Sequence, residues 1–180
     1  MKIFALYTNI TLTKKPDWLD DFLKKYQPHG LHVTLIQPRF IKEDDSDEVK
    51  RKISQFFAQQ TIDPMSVVFD EAMYNKDTSG AIMLYARNAK ELMRLQKELC
   101  EILSEYSSYV DPATEEYEKN FRPHITIGDT IPNEQYQESL KILEEGYMCE
   151  GIIKEVVLAV VKNQTLEEIT NPANKIIYKL

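Results

Sequence analysis

The chain has 180 residues and a formal net charge of −7, with 22 Lys and Arg residues against 29 Asp and Glu residues. Its 43% hydrophobic and 28% charged content is that of a globular protein, which excludes disordered and fibrous classes. The length fits a single domain over residues 1–180. The acidic balance argues against a broad basic surface for duplex DNA, although a few local groups can still hold a small anion.

The sequence gives no sign of export or of a membrane segment. Residues 1–8 contain an apolar run too short for a signal-peptide core, and no stretch reaches the roughly 20 apolar residues that span a bilayer. Cys100 and Cys149 stand alone, without a disulfide or metal-binding pattern. We therefore expect a cytoplasmic monomer in which both cysteines act as buried apolar residues.

Apolar periodicity predicts an alternation of strands and helices along the chain. Strands are predicted at residues 2–8, 31–41, 65–74, 81–87, 124–131, 152–161 and 175–180, and helices at residues 17–26, 47–60, 89–106 and 133–147. This order is typical of an α+β fold with helices packed on antiparallel sheets. Residues 107–121 form a long polar connection, which could close over a substrate as a lid or be only a solvated loop.

One four-residue pattern occurs on two of the predicted strands. His32 begins the sequence HVTL and His124 begins HITI. Because side chains alternate along a strand, His32 shares a face with Thr34 and His124 shares a face with Thr126, while the apolar residues point to the core. The chain has three histidines, and from composition alone such a pair is roughly a 1% coincidence. The third, His29, lies between proline and glycine and predicts a turn.

Two imidazoles and two hydroxyls suit the cleavage of a phosphodiester without a metal. A histidine pKa of about 6.5 allows one imidazole to act as base and the other as acid near neutrality. Threonine hydroxyls can donate hydrogen bonds to the non-bridging phosphate oxygens, where negative charge is held. A zinc site is the alternative hypothesis, but the sequence shows no third ligand at a usual spacing, so we expect neither a metal nor another cofactor.

Two arginines are further candidates for phosphate contact. Arg122 has the strand parity of His124, although Pro123 between them interrupts the ladder, and the alternative is a solvated surface arginine. Arg39 follows Pro38 and has the opposite parity to His32, so it reaches a phosphate only if the strand bulges.

The HVTL sequence at His32 and the sequence FRPHITIG over residues 121–128 resemble the paired motifs of the two-histidine (2H) phosphoesterase superfamily. Within it, the chain most resembles the branch of 2′-5′ RNA ligases and RNA 2′,3′-cyclic phosphodiesterases. The resemblance implies a bilobal α+β fold with two antiparallel-sheet lobes, outer helices and a central cleft. It also implies metal-independent cleavage of 2′,3′-cyclic or 2′-5′ phosphodiester bonds, with His32 and His124 as the catalytic pair. Thr34 and Thr126 would bind the phosphate.

One departure from the family pattern bears on the substrate. Gly128 and Asp129 follow the second motif, where the RNA cyclic phosphodiesterase branch often has a basic residue. Together with the acidic balance, this favours a small phosphodiester, a nucleotide or an RNA end over long RNA. The alternatives are a non-catalytic RNA-end or nucleotide-binding module and a 2′-5′ RNA ligase activity. Which histidine is the base stays open at this point.

Overall fold

Two antiparallel sheets and six α-helices make up the fold in a computed structural model that describes residues 1–27, 30–74 and 80–180. The strands are β1 (Lys2–Lys14), β2 (His32–Ile41), β3 (Met65–Phe69), β4 (Glu71–Tyr74), β5 (Ile82–Tyr85), β6 (His124–Gly128), β7 (Cys149–Val161) and β8 (Lys175–Lys179). The helices are α1 (Leu19–Tyr26), α2 (Ser46–Gln59), α3 (Lys90–Ile102), α4 (Thr114–Lys119), α5 (Asn133–Lys141) and α6 (Leu166–Thr170), with 3₁₀ turns at Ile142–Glu145 and Pro172–Asn174.

The first sheet has the strand order β2-β1-β7-β3, and β8 also pairs with β7. Strands β3 and β8 share one edge of β7, β3 along residues 149–153 and β8 along residues 155–159. The second sheet has the order β4-β5-β6. Every pairing is antiparallel, so the predicted α+β fold with two antiparallel sheets is confirmed.

The strand predicted over residues 65–74 is wrong in one respect, because it is two strands in different sheets. Strand β3 joins the first sheet and β4 joins the second, with the change at Asp70, whose backbone N–H donates to the carbonyl of Tyr85 (3.1 Å). Apolar residues occur on both sides of this point, so the sequence alone does not show that the chain passes from one sheet to the other. Residues 75–79, between the strands predicted at residues 65–74 and 81–87, lie outside the described residues, as do residues 28–29, which contain the turn predicted at His29.

The segment after α3 also differs from the prediction. Helix α3 ends at Ile102 rather than at residue 106, and the polar connection contains the short helix α4. Before β8, the structure contains α6 and a 3₁₀ turn, where the sequence predicts no helix between the strands at residues 152–161 and 175–180. These elements are short and lack a clear apolar period, which is why the sequence pattern misses them.

A buried ion pair ties this polar connection to β2. The guanidinium of Arg39 pairs with the carboxylate of Glu118, and both side chains are 4% exposed. Arg39 also donates to the carbonyls of Leu103 (3.1 Å) and Tyr106 (2.7 Å). The hydroxyl of Tyr109 donates to Glu118 (2.8 Å), and burial together with this bond raises the pKa of Tyr109 to about 12.

The ion pair bears on two alternatives that the sequence leaves open. Arg39 is not at the rim of a phosphate site, because its side chain is buried on the core side of β2 and its two terminal nitrogens bind Glu118 and main-chain carbonyls. Arg39 and His32 therefore project from opposite faces of β2, as their strand parity predicts. The connection is not built as a lid either, since the N–H groups of Phe40 and Val110 donate to Ser108 (2.7 Å) and Pro38 (2.9 Å) across it.

One continuous apolar core joins the two sheets. Helix α1, which follows β1 of the first sheet, packs on β6 of the second sheet, whereas α3 and α4 pack on β2. Helix α1 thus follows a strand of the first sheet in the chain but packs on the second sheet. Helices α3 and α4 lie between two strands of the second sheet in the chain but pack on the first. Cys149 lies in this core, and burial raises its pKa to about 11, so it behaves as the small apolar residue that the sequence predicts. Across the described residues, no helix is long and apolar enough to cross a membrane.

Replacing Glu118 tests how much the buried ion pair stabilises the fold. We expect Glu118→Gln to lower the free energy of unfolding by about 3–5 kcal/mol, because it leaves the Arg39 charge buried without a counter-charge. Urea denaturation followed by circular dichroism measures this change. Glu115→Gln, in the same helix but paired with Lys119 at the surface, is the matched control and should have a far smaller effect. Equal effects of the two substitutions would contradict a structural role for the buried pair.

Candidate active site

The first motif lies on β2, at one edge of the first sheet. Val33 and Leu35 are 0% and 1% exposed and belong to the core, so His32 and Thr34 project from the opposite face and are partly buried. On that face the neighbouring strand β1 places Asn9 opposite His32 and Tyr7 opposite Thr34. The rings of Tyr7 and His32 meet edge to face, with centroids 5.5 Å apart.

The second motif lies on β6, at one edge of the second sheet, and repeats this arrangement. Ile125 and Ile127 are 0% exposed in the core, and His124 and Thr126 project from the other face. Strand β5 places Tyr85 opposite His124, and the two ring centroids are 4.9 Å apart. Each motif therefore has its imidazole against a tyrosine of the adjacent strand.

The two imidazoles are held by the same type of hydrogen bond. Nδ1 of His32 lies 3.2 Å from the carbonyl oxygen of Gly30, and Nδ1 of His124 lies 2.9 Å from that of Arg122. Because a carbonyl only accepts, we assign the proton of each neutral ring to Nδ1. Proton exchange with a substrate then falls to Nε2 in both rings.

Arg122 lies on the same face as His124, as the strand parity predicts. Its guanidinium stands over the ring of Tyr85 at 4.6 Å and donates to both carboxylate oxygens of Glu71, each at 3.0 Å. Its side chain is 49% exposed, so the charge is accessible from solvent while its position is fixed. The sequence cannot reveal Glu71 or Tyr7 as neighbours of the site, because strand register is not encoded in any local pattern.

The environment of His124 favours its neutral form. Burial lowers the pKa of the imidazole below its usual value of 6.5, and the nearby charge of Arg122 lowers it further. The hydrogen bond to the Arg122 carbonyl acts in the opposite direction and offsets part of the effect. A neutral imidazole at physiological pH is able to accept a proton, which is the state a general base requires.

Strand β6 contacts both β2 of the first sheet and the carboxyl end of α1, which precedes β2 in the chain. Strands β2 and β6 pack against each other. The side-chain amide of Gln27 donates to the carbonyl of Thr126 (2.8 Å), and the N–H of Asp129 donates to the carbonyl of Tyr26 (3.0 Å). Within the described part of the chain, no group of three His, Cys, Asp or Glu side chains is placed to hold a metal ion.

Comparison with known proteins gives a family and a fold. The family described as the 2′-5′ RNA ligase superfamily matches residues 14–165, a range that includes both motifs. A protein from Geobacillus sp. (strain WCH70), provisionally named a phosphoesterase, is 28% identical over 127 residues. That match spans 68% of this chain and 66% of the relative, so the aligned chain covers about two thirds of that protein.

Solved structures with the same fold are remote in sequence. Usb1 of Kluyveromyces marxianus has a TM-score of 0.52 at 12% identity, covering 99% of this chain and 98% of that one. A crystal structure of a phosphoesterase has a TM-score of 0.52 at 13% identity, covering 100% and 96%. LigT of E. coli, complexed with 3′-AMP, has a TM-score of 0.50 at 13% identity, covering 99% and 95%.

The pKa of His124 can be measured directly by following its imidazole resonances through a pH titration. We expect a midpoint below 6.5, because burial and Arg122 both penalise the imidazolium. A His124→Gln variant assigns the signals. Since the unfolded chain then binds more protons than the folded one, this group should make the protein more stable as pH rises through that range. A midpoint at or above 6.5 would show that the site does not favour the neutral ring.

Proposed function

The chain belongs to the 2′-5′ RNA ligase superfamily, and on that basis we propose that it is a metal-independent phosphodiesterase. It hydrolyses 2′,3′-cyclic or 2′-5′ phosphodiester bonds of RNA ends, oligonucleotides or nucleotides. The observation that carries this proposal is the matching Nδ1 hydrogen bond of His32 and His124, which prepares both Nε2 atoms for proton transfer on equivalent faces. It works as a single-domain, cytoplasmic monomer.

In this reaction the two histidines act on opposite sides of the phosphorus atom. For a 2′,3′-cyclic phosphate, one imidazole takes a proton from the attacking water as the new P–O bond forms. The other donates its proton to the ribose oxygen as the old P–O bond breaks. The hydroxyls of Thr34 and Thr126 donate hydrogen bonds to the non-bridging oxygens, where negative charge accumulates.

For attack by a ribose hydroxyl we assign the base to His124 and the acid to His32. When water opens the cyclic phosphate, which is the reverse of that step, the two roles exchange. The lowered pKa of His124 keeps it neutral and ready to accept a proton. Arg122 lies two residues before His124 in the sequence, and its guanidinium is held by Glu71. It adds a positive charge that attracts the phosphate. Its bond to Glu71 orients the guanidinium over Tyr85 before substrate arrives.

A small substrate fits the charge of the protein. A net charge of −7 gives little attraction for a long polyanion, whereas four local side chains and one arginine are enough for a single phosphodiester. E. coli LigT, which shares the fold, has been crystallised with 3′-AMP, a ligand of this size.

Removal of either imidazole tests the proposed function. With 2′,3′-cyclic AMP in the presence of EDTA, we expect His32→Ala and His124→Ala each to lower kcat by roughly 10² to 10⁴-fold, since each loses one proton-transfer step. Product formation is followed by chromatography, which also distinguishes the 2′- from the 3′-phosphate. His29→Ala removes the third histidine, outside both motifs, and serves as the control with unchanged turnover.

The result separates the possible functions of the fold. Loss of activity with EDTA in the unmutated protein would overturn metal-independent catalysis. Tight binding of the cyclic nucleotide without product would identify a binding module. Joining of a 2′,3′-cyclic phosphate end to a 5′-hydroxyl end, faster than hydrolysis, would identify a ligase.

A substrate with an activated leaving group tests the assignment of acid and base. In uridine 3′-(4-nitrophenyl) phosphate, the ribose 2′-hydroxyl attacks and nitrophenolate leaves without needing a proton. We therefore expect His32→Ala to recover most of the wild-type rate on this substrate, whereas His124→Ala stays inactive because the 2′-hydroxyl still requires a base. Release of nitrophenolate is followed by absorbance. Recovery of His124→Ala instead of His32→Ala would reverse the assignment.

A further inference from the structure

A cavity of about 540 Å³ lies on the face of the first sheet that carries His32. Residues 162–174, which include α6 and the following 3₁₀ turn, cross over this face and form one wall; we call them the strap. The cavity between the strap and the sheet is the strap cavity. His32 and Tyr7 line its end nearest the first motif, so it opens directly beside the proposed acid.

The floor of the strap cavity is apolar. In one row across the sheet, Tyr7 lies opposite Val157, which lies opposite Ile177. In the next row the small residues Ala5 and Ala159 face each other, and their short side chains give the cavity its depth. Val157 is 1% exposed, which places the floor well away from solvent.

Few charged groups face this space. Among the described residues that line it, Lys175 and His32 are the ones able to carry a positive charge, and none is a carboxylate. In the row that contains His32, Glu155 accepts a hydrogen bond from Asn9 (2.8 Å) and pairs with Lys179, so that carboxylate is neutralised beside the cavity. A second phosphate group would therefore find one lysine here, whereas an apolar group would find a matching surface.

The strap is held in place by its own hydrogen bonds. The amide of Asn174 donates to the carbonyl of Glu168 (3.0 Å), and the N–H of Lys162 donates to the Glu168 carboxylate (3.0 Å). The N–H of Ala173 donates to the side chain of Asn171 (3.0 Å). A preformed wall lowers the entropic cost of binding. The family match ends at residue 165, so α6 and the following 3₁₀ turn of this wall lie beyond the part of the chain that the match covers.

We propose that the strap cavity binds an uncharged apolar group, about as large as an aromatic ring, that is esterified to the scissile phosphate. The inference rests on the proposed function and extends its substrate class to phosphodiesters with one apolar alcohol. The apolar alcohol is the leaving group, because the cavity opens beside His32. The attacking hydroxyl gives its proton to His124 as its bond to phosphorus forms, and His32 protonates the alcohol as the P–O bond breaks.

A pair of esters with leaving alcohols of similar acidity isolates the contribution of the cavity. Uridine 3′-benzyl phosphate and uridine 3′-methyl phosphate differ in the apolar ring, and intrinsic reactivity is nearly the same. We expect kcat/KM to be roughly tenfold higher for the benzyl ester, because the ring leaves water on binding. Uridine 3′-(4-carboxybenzyl) phosphate is the charged counterpart and should lose this advantage.

Variants connect the preference to the cavity. Ala159→Leu extends a side chain into the open space and should bring the ratio of benzyl to methyl turnover close to one, with the methyl ester unaffected. Ile177→Ser, at a position that is 52% exposed, should reduce the ratio several-fold without loss of folding. Val68→Ser is the matched control, since Val68 is 45% exposed on β3 of the same sheet but does not line the cavity.

Binding measurements keep this inference separate from the proposed function. Hydrolysis of 2′,3′-cyclic AMP tests the proposed function independently of both uridine esters. If neither ester is cleaved, calorimetric titration of methyl benzyl phosphate against dimethyl phosphate still tests the cavity. Tighter binding of the benzyl compound, lost in Ala159→Leu, supports it. Equal kcat/KM values for the two uncharged esters, equal affinities in the titration, or faster turnover of the carboxybenzyl ester would overturn it; the last result would assign the cavity to anions through Lys175.

Discussion

Burial of the apolar residues in the two motif strands determines where every polar group of the candidate site lies. Val33 and Leu35 on β2 and Ile125 and Ile127 on β6 enter one shared core. Because side chains alternate strictly along a strand, a slip of one residue would bury the histidine and threonine and expose the apolar pair. The cost of that exchange is several buried aliphatic side chains, each contributing about 1.5–3 kcal/mol. The chemistry of the site therefore depends on the core behind it.

The exchange of helices between the sheets makes this core continuous. Helix α1 covers β6, and α3 and α4 cover β2, so neither motif strand is supported only by its own half of the chain. The ion pair of Arg39 and Glu118 fixes the α3–α4 connection to the back of β2. Packing against a rigid core holds each imidazole in one orientation. Proton transfer on both sides of a phosphate requires such fixed positions.

Sequence patterns predict much of this arrangement, and their failures have a physical explanation. The face shared by His32 and Thr34, and by His124 and Thr126, follows from a period of two and is found as predicted. Strand partners do not follow from any local pattern, so Tyr7 and Glu71 are recognised beside the site only in the structure. The sequence does not predict the split of the strand at Asp70 or the burial of Arg39 for the same reason. Both depend on contacts with residues far away in the chain.

The central place of β1 in the first sheet has a consequence for synthesis of the chain on the ribosome. Strand β1 contains residues 2–14, yet one of its two partners is β7 at residues 149–161. The second sheet can close once β6 has emerged, whereas the first sheet keeps an open edge along β1 until β7 has also emerged. Asn9 and Tyr7 of β1, which lie opposite the first motif, therefore reach their final positions only when this sheet is complete. The two halves of the site thus mature at different times, and the half with His32 is finished last.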